Sequence, residues 1–232
     1  MTDLCFQSGD RAEPLIIVRS PRARQMRLIV DPRSGAVKLT IPARAPLKPA
    51  LSWAQSKRSW IEDQLAKLPR ARAVHNGCEI EVAGETLFVD WSEAYPRNPC
   101  RVKETVRVGG PIDLLGARVV RWLKREAKQL LTAETHEMAA KIGVSIGDVG
   151  VGDPVSRWGS CAASGDIRYS WRLILTPDFV RRATVAHEVA HRVHMNHGAA
   201  FHGLVADILG DDPKPAHQWL RDHGTSLHWF AR

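Results

Sequence analysis

The chain of 232 residues has no long apolar segment and no amino-terminal leader pattern. No apolar run reaches about 20 residues, the length that a membrane-spanning helix needs. Residues 1–7 lack the basic start and the apolar core of a signal peptide. With 44% hydrophobic and 25% charged residues, the composition is typical of a globular protein of one or two domains. We therefore expect a cytoplasmic protein without a membrane partner.

Cysteine is scarce, and the four cysteines, Cys5, Cys78, Cys100 and Cys161, stand far apart. They form no C-x-x-C pair, which argues against a disulfide framework and against a cysteine-based metal site. The sequence also has no glycine-rich phosphate loop and no cluster of carboxylates for magnesium. These two absences argue against a nucleotide hydrolase.

The most informative pattern that is present is an H-E-x-x-H motif, His187-Glu188-Val189-Ala190-His191, inside an apolar stretch. Residues i and i+4 of a helix lie on the same face, so His187 and His191 can bind one ion while Glu188 faces the water beside it. Zinc lowers the pKa of such a water towards about 7, and a nearby carboxylate can take its proton. The motif therefore predicts a Zn²⁺-dependent hydrolase with Glu188 as the general base.

A third ligand has several candidates. His194 extends the same helical face, but seven residues of helix rise about 10 Å, too far to share an ion with His187. No Glu follows Glu188, so a glutamate from a later helix is excluded. His197 can reach the metal if the helix stops first, and Asp207 and His202 remain rivals.

The segment before His197 favours such a stop. Asn196 tolerates the left-handed conformation that ends helices, and Gly198 follows it. We therefore expect the chain to fold back at Met195 and Asn196 and to bring His197 under the metal.

Several motifs together resemble the YgjP-like family of zinc metallopeptidases, which are relatives of the SprT-like proteases. They are Ser-Arg-Trp-Gly-Ser-Cys at 156–161, Ser-Trp-Arg-Leu at 170–173, the H-E-x-x-H motif at 187–191, and Met-Asn-His-Gly-Ala-Ala-Phe at 195–201. The likeness extends upstream to residues 24–42 and 56–61, so it covers most of the chain.

The resemblance implies that His187, His191 and His197 are the metal ligands and Glu188 the general base. The chain departs from the family pattern at two places. His202 stands where the family usually has an aromatic residue, most often Trp, and the Asn usual near Ser170 is absent. Both departures imply a different pocket floor with different polar contacts.

Hydrophobic periodicity and turn residues predict an α+β fold with two domains. Residues 1–110 are expected to form a β-rich region with one helix, and residues 111–232 a zincin-like metallopeptidase domain, divided near Gly109-Gly110-Pro111. The predicted strands are 15–19, 26–30, 37–41, 79–82, 86–91, 100–108, 149–158 and 167–174. The predicted helices are 46–68, 114–142, 176–193, 201–209 and 215–223.

The residues before the H-E-x-x-H helix are candidates for substrate contacts. In zinc peptidases of this general design an edge strand beside the metal can pair with an extended peptide, so Trp158, Gly159 and Ser160 are expected to line the cleft. An ordinary paired strand is the alternative. Arg157 could stabilise an oxyanion or bind a phosphate, or form a structural salt bridge. His202 is either a proton donor in the cleft or a packed or solvated side chain.

The net charge of +8 and the pI near 9.7 raise the question of a nucleic-acid partner. Basic residues crowd the amino-terminal strands, and such a face could contact phosphates without reading sequence. The alternative is a solvated basic face. The residues are Arg19, Arg22, Arg24, Arg27, Arg33, Lys38 and Arg44.

Three functions follow from these patterns. The favoured one is a zinc-dependent peptidase that acts on a peptide or protein substrate. The second is a metal-dependent nucleotide phosphohydrolase, with basic residues such as Arg157 and Arg172 near the metal. The third is a non-catalytic zinc or nucleic-acid-binding domain. Three protein ligands plus water favour an enzyme, whereas a closed site of four ligands favours a structural domain.

Overall fold

The computed structural model describes residues 4–8 and 11–232, and it has a mixed α+β fold. The chain divides into two compact units, Met1–Arg70 and Ala71–Arg232. Within the described residues, no helix is both long enough and apolar enough to cross a membrane.

The first unit is a four-stranded sheet with two short helices. Its strands are β1 (Cys5–Ser8), β2 (Arg11–Ser20), β3 (Arg27–Val30) and β4 (Val37–Pro42), in the order β1-β2-β4-β3. β2 and β4 are parallel, and the other pairs are antiparallel. Strict alternation in β4 buries Val37, Leu39 and Ile41 on one face, as period 2 requires.

The helix expected over residues 46–68 is in fact two helices. α1 spans Leu47–Ser56 and α2 spans Arg58–Ala66. Lys57 separates them, since its backbone angles of φ −98 and ψ 12 leave the helical region. The two helices bury Ala50, Ala54, Ile61 and Leu65 within this unit.

The second unit begins with a sheet of the order β5-β6-β8-β7, formed by β5 (Glu79–Val82), β6 (Glu85–Trp91), β7 (Cys100–Val102) and β8 (Thr105–Val108). The strand expected over residues 100–108 is a hairpin, and Lys103 takes a left-handed φ of 55 in its turn. This sheet buries Ile80, Leu87 and Val106 in the same core as the later helices. For this reason β5 to β8 belong to the compact unit Ala71–Arg232, and a domain division near residue 110 stays a prediction.

The rest of the second unit surrounds a small sheet. In chain order it contains α3 (Leu115–Lys141), β9 (Val149–Gly152), β10 (Gly159–Cys161), β11 (Ile167–Ser170), a 3-10 helix (Trp171–Leu175), α4 (Asp178–Ala190), α5 (Ala199–Leu209) and α6 (Lys214–Leu227). The strand order is β10-β11-β9, so β10 is an outer strand. β10 is antiparallel to β11, and β9 is parallel to it.

The strands expected over residues 149–158 and 167–174 are both shorter in the structure. The chain leaves the sheet after Gly152, and Pro154 follows two residues later. The second strand ends at Ser170 because the Ser170 hydroxyl accepts a hydrogen bond from the backbone N–H of Arg172, which starts the 3-10 helix.

A buried ion pair connects α3 to α4. Arg181 Nε and Nη2 donate hydrogen bonds to the Glu134 carboxylate, with the shortest at 2.9 Å, and both side chains are at least 94% buried. Arg181 Nη1 also donates to Asp178 at 2.8 Å. A buried carboxylate requires such partners, so this pair sets the position of α4 against α3.

We predict that Glu134→Ala lowers the free energy of unfolding by about 3 kcal/mol, because it leaves the buried Arg181 charge without its main partner. Urea denaturation followed by circular dichroism measures this change. Glu137→Ala is the matched control: Glu137 lies on the same helix, is 49% exposed and pairs with Arg182. The control should cost less than about 1 kcal/mol. Equal losses in the two variants would contradict the role of the buried pair.

Candidate metal centre

α4 presents His187 and Glu188 near its end, and His191 follows as the residue that caps it. His191 keeps helical backbone angles of φ −64 and ψ −14, so the spacing of four residues still places it on the same face as His187. Their ring centroids lie 5.0 Å apart. The helix begins at Asp178 with Pro177 as its N-cap residue, two residues after the predicted start at 176.

The chain turns back directly after α4, but not by the expected route. The N–H groups of Val193 and His194 both donate to the carbonyl of Ala190. Among the described residues, the non-glycine positions with positive φ are Ala83, Lys103 and Ala231. Asn196 is therefore not left-handed, and the expectation of a left-handed stop there is wrong. The reversal comes from the turns that begin at Ala190.

This turn also selects the tautomer of His191. Its Nδ1 lies 3.0 Å from the backbone carbonyl oxygen of His194. Because a carbonyl oxygen only accepts, Nδ1 carries the proton and Nε2 keeps a free lone pair. A metal-binding imidazole has the same arrangement, with the distal nitrogen free and the other held by an acceptor.

His197 completes a cluster of three imidazoles. One ring nitrogen from each of His187, His191 and His197 lies within 4.8 Å of the others. The Nε2 atoms of His187 and His197 are 3.1 Å apart. Two nitrogens bound to one tetrahedral zinc at about 2.1 Å are separated by about 3.4 Å. The donor set and its spacing therefore fit a zinc-type ion, to which imidazoles are suited.

Packing keeps these rings in place, and burial keeps the ring of His187 uncharged. The buried ring of Phe201, on α5, has its centroid within 4.9 Å of the centroids of all three histidine rings. Burial, together with the neighbouring His191 and His197, lowers the pKa of His187 to about 4. A neutral imidazole is the form that binds a metal.

Glu188 lines a cavity of about 230 Å³ together with His187. Burial raises the pKa of Glu188 to about 7, and the charge of Arg157 acts in the opposite direction. A carboxylate with a pKa near neutrality can both accept and return a proton. The other lining residues are Arg157, Trp158, Gly159, Thr184, His217 and Leu220.

Gly159 on β10 allows this arrangement because it has no side chain. A Cβ at position 159 would overlap Glu188 Oε1 and would lie only 2.6 Å from Glu188 Cγ. The carboxyl group thus occupies the space that any other residue at 159 would fill. β10 and α4 can approach this closely only with glycine at this position.

The residues expected to contact the substrate do not all lie in one cavity. Arg157, Trp158 and Gly159 line the cavity beside Glu188, whereas Ser160 lines a neighbouring one. His202 is exposed on α5, with its ring centroid 6.4 Å from that of His197 and outside the three-histidine cluster. Asp207, the rival oxygen ligand, is likewise outside the cluster.

Arg172 does not lie free near the cavity. Its side chain is buried, donates to both oxygens of Asp153, and also donates to the carbonyl of Leu227 at 2.6 Å. The guanidinium is therefore structural, and it ties the loop after β9 to the carboxyl terminus of α6. The expectation that Arg172 supplies positive charge at the metal is not met.

His217 lines the cavity beside Glu188, although the sequence motifs did not single it out. It lines the cavity from α6, and its ring centroid lies 6.2 Å from that of His187. Burial, and next the charge of Arg221, lower the pKa of His217. The helical spacing of His217, Leu220 and Gly224 was the available signal, because residues at i, i+3 and i+7 share a face.

His228 is buried and packs on Trp158, with ring centroids 5.4 Å apart. Gly224 makes room for that indole, since a Cβ there would lie 2.8 Å from Trp158 Cζ2. The carboxyl-terminal segment thus holds one wall of the cavity.

Comparison with known proteins shows which family the chain resembles. A family model described as YgjP-like, metallopeptidase domain, matches residues 24–223, which are 200 of the 232 residues. No curated protein matches the chain, and no solved structure does.

We predict that His197→Ala weakens zinc binding by at least about 100-fold, because it removes one of three ring nitrogens. Elemental analysis and a competition titration with a chromophoric chelator measure this loss. His202→Ala is the matched control, since it removes a neighbouring exposed histidine outside the cluster. Wild-type affinity in His197→Ala, or equal losses in both variants, would contradict the three-histidine site.

Proposed function

Because the chain belongs to the YgjP-like metallopeptidase family, we propose that it is a zinc-dependent peptidase in which His187, His191 and His197 bind the ion and Glu188 is the general base. The observation that carries this proposal is the shared cavity, in which Glu188 lies beside one member of a cluster of three imidazoles. When bound, zinc supplies a Lewis acid that polarises a carbonyl oxygen and makes water more acidic.

Glu188 performs the proton transfers in this mechanism. Its carboxylate takes a proton from the attacking water and returns it to the amine that leaves. Gly159 places this carboxylate by leaving space for it, and the burial of Glu188, which is 5% exposed, limits its contact with bulk water. His191 is oriented by its bond to the carbonyl of His194.

The outer edge of β10 supports a peptide as the substrate. Backbone hydrogen bonds from Ser170 N–H to Trp158 O and from Ala162 N–H to Asp166 O lie just before and just after β10. They identify Trp158 and Ala162 as hydrogen-bonded positions opposite β11. In an antiparallel pair, hydrogen-bonded and non-hydrogen-bonded residues alternate, so the main-chain groups of Gly159 and Cys161 point away from β11. An extended peptide can therefore add to this edge directly beside Glu188.

The same arrangement supports a zincin-like catalytic domain within residues 111–232. A helix that carries the H-E-x-x-H motif packs beside a small sheet, and the outer strand of that sheet borders the cavity. The strands β5 to β8 add to its core and are part of the same compact unit.

The nucleotide hydrolase receives no such support. Across the described residues, the cluster of potential metal ligands contains three histidines and no carboxylate. Nucleic-acid binding stays a prediction, although residues 1–70 hold thirteen Lys or Arg against six Asp or Glu and so carry +7 of the net charge of +8.

We predict that Glu188→Gln retains zinc but loses peptidase activity by about 10²–10⁴-fold, because an amide cannot accept the proton from water. Zinc content, casein cleavage and the turnover of nucleoside triphosphates are measured in parallel on wild type and variant. Full casein cleavage by the variant would remove Glu188 as the base. Turnover of triphosphates alone would indicate a nucleotide hydrolase.

We further predict that Gly159→Ala keeps zinc and lowers kcat by about 100-fold, because the new methyl group displaces the Glu188 carboxylate. Gly203→Ala on α5 is the control, since a Cβ there meets no atom within 4 Å. Steady-state kinetics on a fluorogenic peptide and zinc analysis separate the two effects. An unchanged kcat in Gly159→Ala would show that the contact is not needed for catalysis.

A further inference from the structure

The two faces of the β9–β11 sheet have different chemistry. Ile167 and Tyr169 of β11 are buried on the face that packs on the helices, and the Tyr169 hydroxyl bonds to Thr135 of α3. Arg168 lies between them in sequence and is exposed, because successive side chains of a strand point to opposite faces. Ser160 pairs with Arg168 across the strands and shares this outer face.

On the outer face lies a cavity of about 260 Å³, which we call the arginine pocket. Its lining residues are Gly152, Asp153, Pro154, Arg157, Ser160, Arg168 and Tyr169. Arg157 lines both this pocket and the cavity beside Glu188, so the two are neighbours.

The arginine pocket carries uncompensated positive charge. Its acidic residue, Asp153, is neutralised by the two hydrogen bonds from Arg172. Among the described residues, the side chains of Arg157 and Arg168 make no hydrogen bond and no ion pair within 4.0 Å, although the charge of Arg157 acts on Glu188 across the neighbouring cavity. The charge of Arg168 helps to lower the pKa of Asp166. The carboxylate oxygens of Asp166, however, accept hydrogen bonds from the Asp148 N–H and the Ser164 hydroxyl and not from Arg168. Two guanidinium groups are therefore available to a ligand.

A peptide on the edge of β10 would reach both faces of the sheet. Its side chains must alternate, so when one points to the side of Glu188 the next points to the side of Ser160 and Arg168. The fold thus places the arginine pocket where it meets a side chain adjacent to the one at the catalytic cavity.

We propose that the arginine pocket binds an acidic side chain of the substrate, Asp or Glu, close to the scissile bond. This inference rests on the proposed peptidase function and names its substrate class. Guanidinium groups bind carboxylates through paired, charge-assisted hydrogen bonds, and the Ser160 hydroxyl adds a further donor. The location on the outer face favours a strand-like ligand over a free nucleotide, because alternation along a chain connects this face to the catalytic side.

The test uses pairs of fluorogenic peptides that are identical except for Glu or Gln at one position, scanned across the three residues on each side of the cleavage site. With the zinc-loaded protein, we expect kcat/KM to be about tenfold higher for Glu than for Gln at one position. Binding of the same pairs to the Glu188→Gln protein, followed by fluorescence anisotropy, should show the same preference without cleavage.

Arg168 is the residue to change, because Arg157 also lines the catalytic cavity. Arg168→Gln should bring the Glu-to-Gln ratio close to one, and Arg168→Glu should make a Lys peptide the better substrate at that position. Arg121→Gln, which removes an exposed arginine of α3, should keep the wild-type ratio. Misfolding of a variant would lower cleavage of every peptide, so it cannot explain a change of preference from Glu to Lys in Arg168→Glu.

The outcomes separate the two proposals. Cleavage and binding without any charge preference, or a preference that persists in Arg168→Gln, would overturn the acidic subsite and leave the peptidase intact. A zinc-loaded protein that neither cleaves nor binds any peptide would overturn both. Arg168-dependent binding of a nucleoside triphosphate without peptide binding would reassign the pocket to phosphate.

Discussion

The site depends on one close approach, between β10 and α4 at Gly159 and Glu188. The carboxyl group fills the volume of a missing side chain, and this contact removes it from water and raises its pKa to about 7. Burying a carboxylate is costly, so the elements on both sides must be held firmly. The Arg181–Glu134 pair holds α4 against α3, and the 3-10 helix after β11 buries its apolar side chains in the same core as Ile167 and Tyr169 of the sheet. Stability of the fold and reactivity of Glu188 therefore share the same contacts.

Local patterns in the sequence were sufficient to predict the helices that carry the residues of the proposed mechanism. The spacing of His187 and His191 placed both rings on one face of α4. Hydrophobic periodicity predicted a helix over residues 114–142, and α3 matches it to within a residue at each end. Such features depend on residues within one or two turns of each other, and for this reason propensity and capping predict them.

The errors occurred where distant residues decide the structure. His217 reaches the cavity only because α6 packs on α4, and its helical spacing with Leu220 and Gly224 shows a shared face but not what that face packs against. Arg172 was expected near the metal, but Asp153 and the carbonyl of Leu227 bind it. The division at Arg70 follows from the burial of β5 to β8 in the helical core. The cytoplasmic location stays a prediction, since it rests on composition alone.

The turn after α4 shows how a backbone detail can set metal chemistry. An imidazole binds a cation through one nitrogen only if the proton sits on the other, and in water the two tautomers interconvert freely. Here the carbonyl of His194 fixes the proton on Nδ1 of His191, while burial keeps His187 neutral. The reversal that fixes the proton of His191 also brings the Nε2 atoms of His187 and His197 to 3.1 Å from each other. A longer α4 would lose both effects, because the carbonyl of His194 would then bond within the helix and His197 would move away along its axis. The early end of α4 is therefore a requirement of the three-histidine cluster.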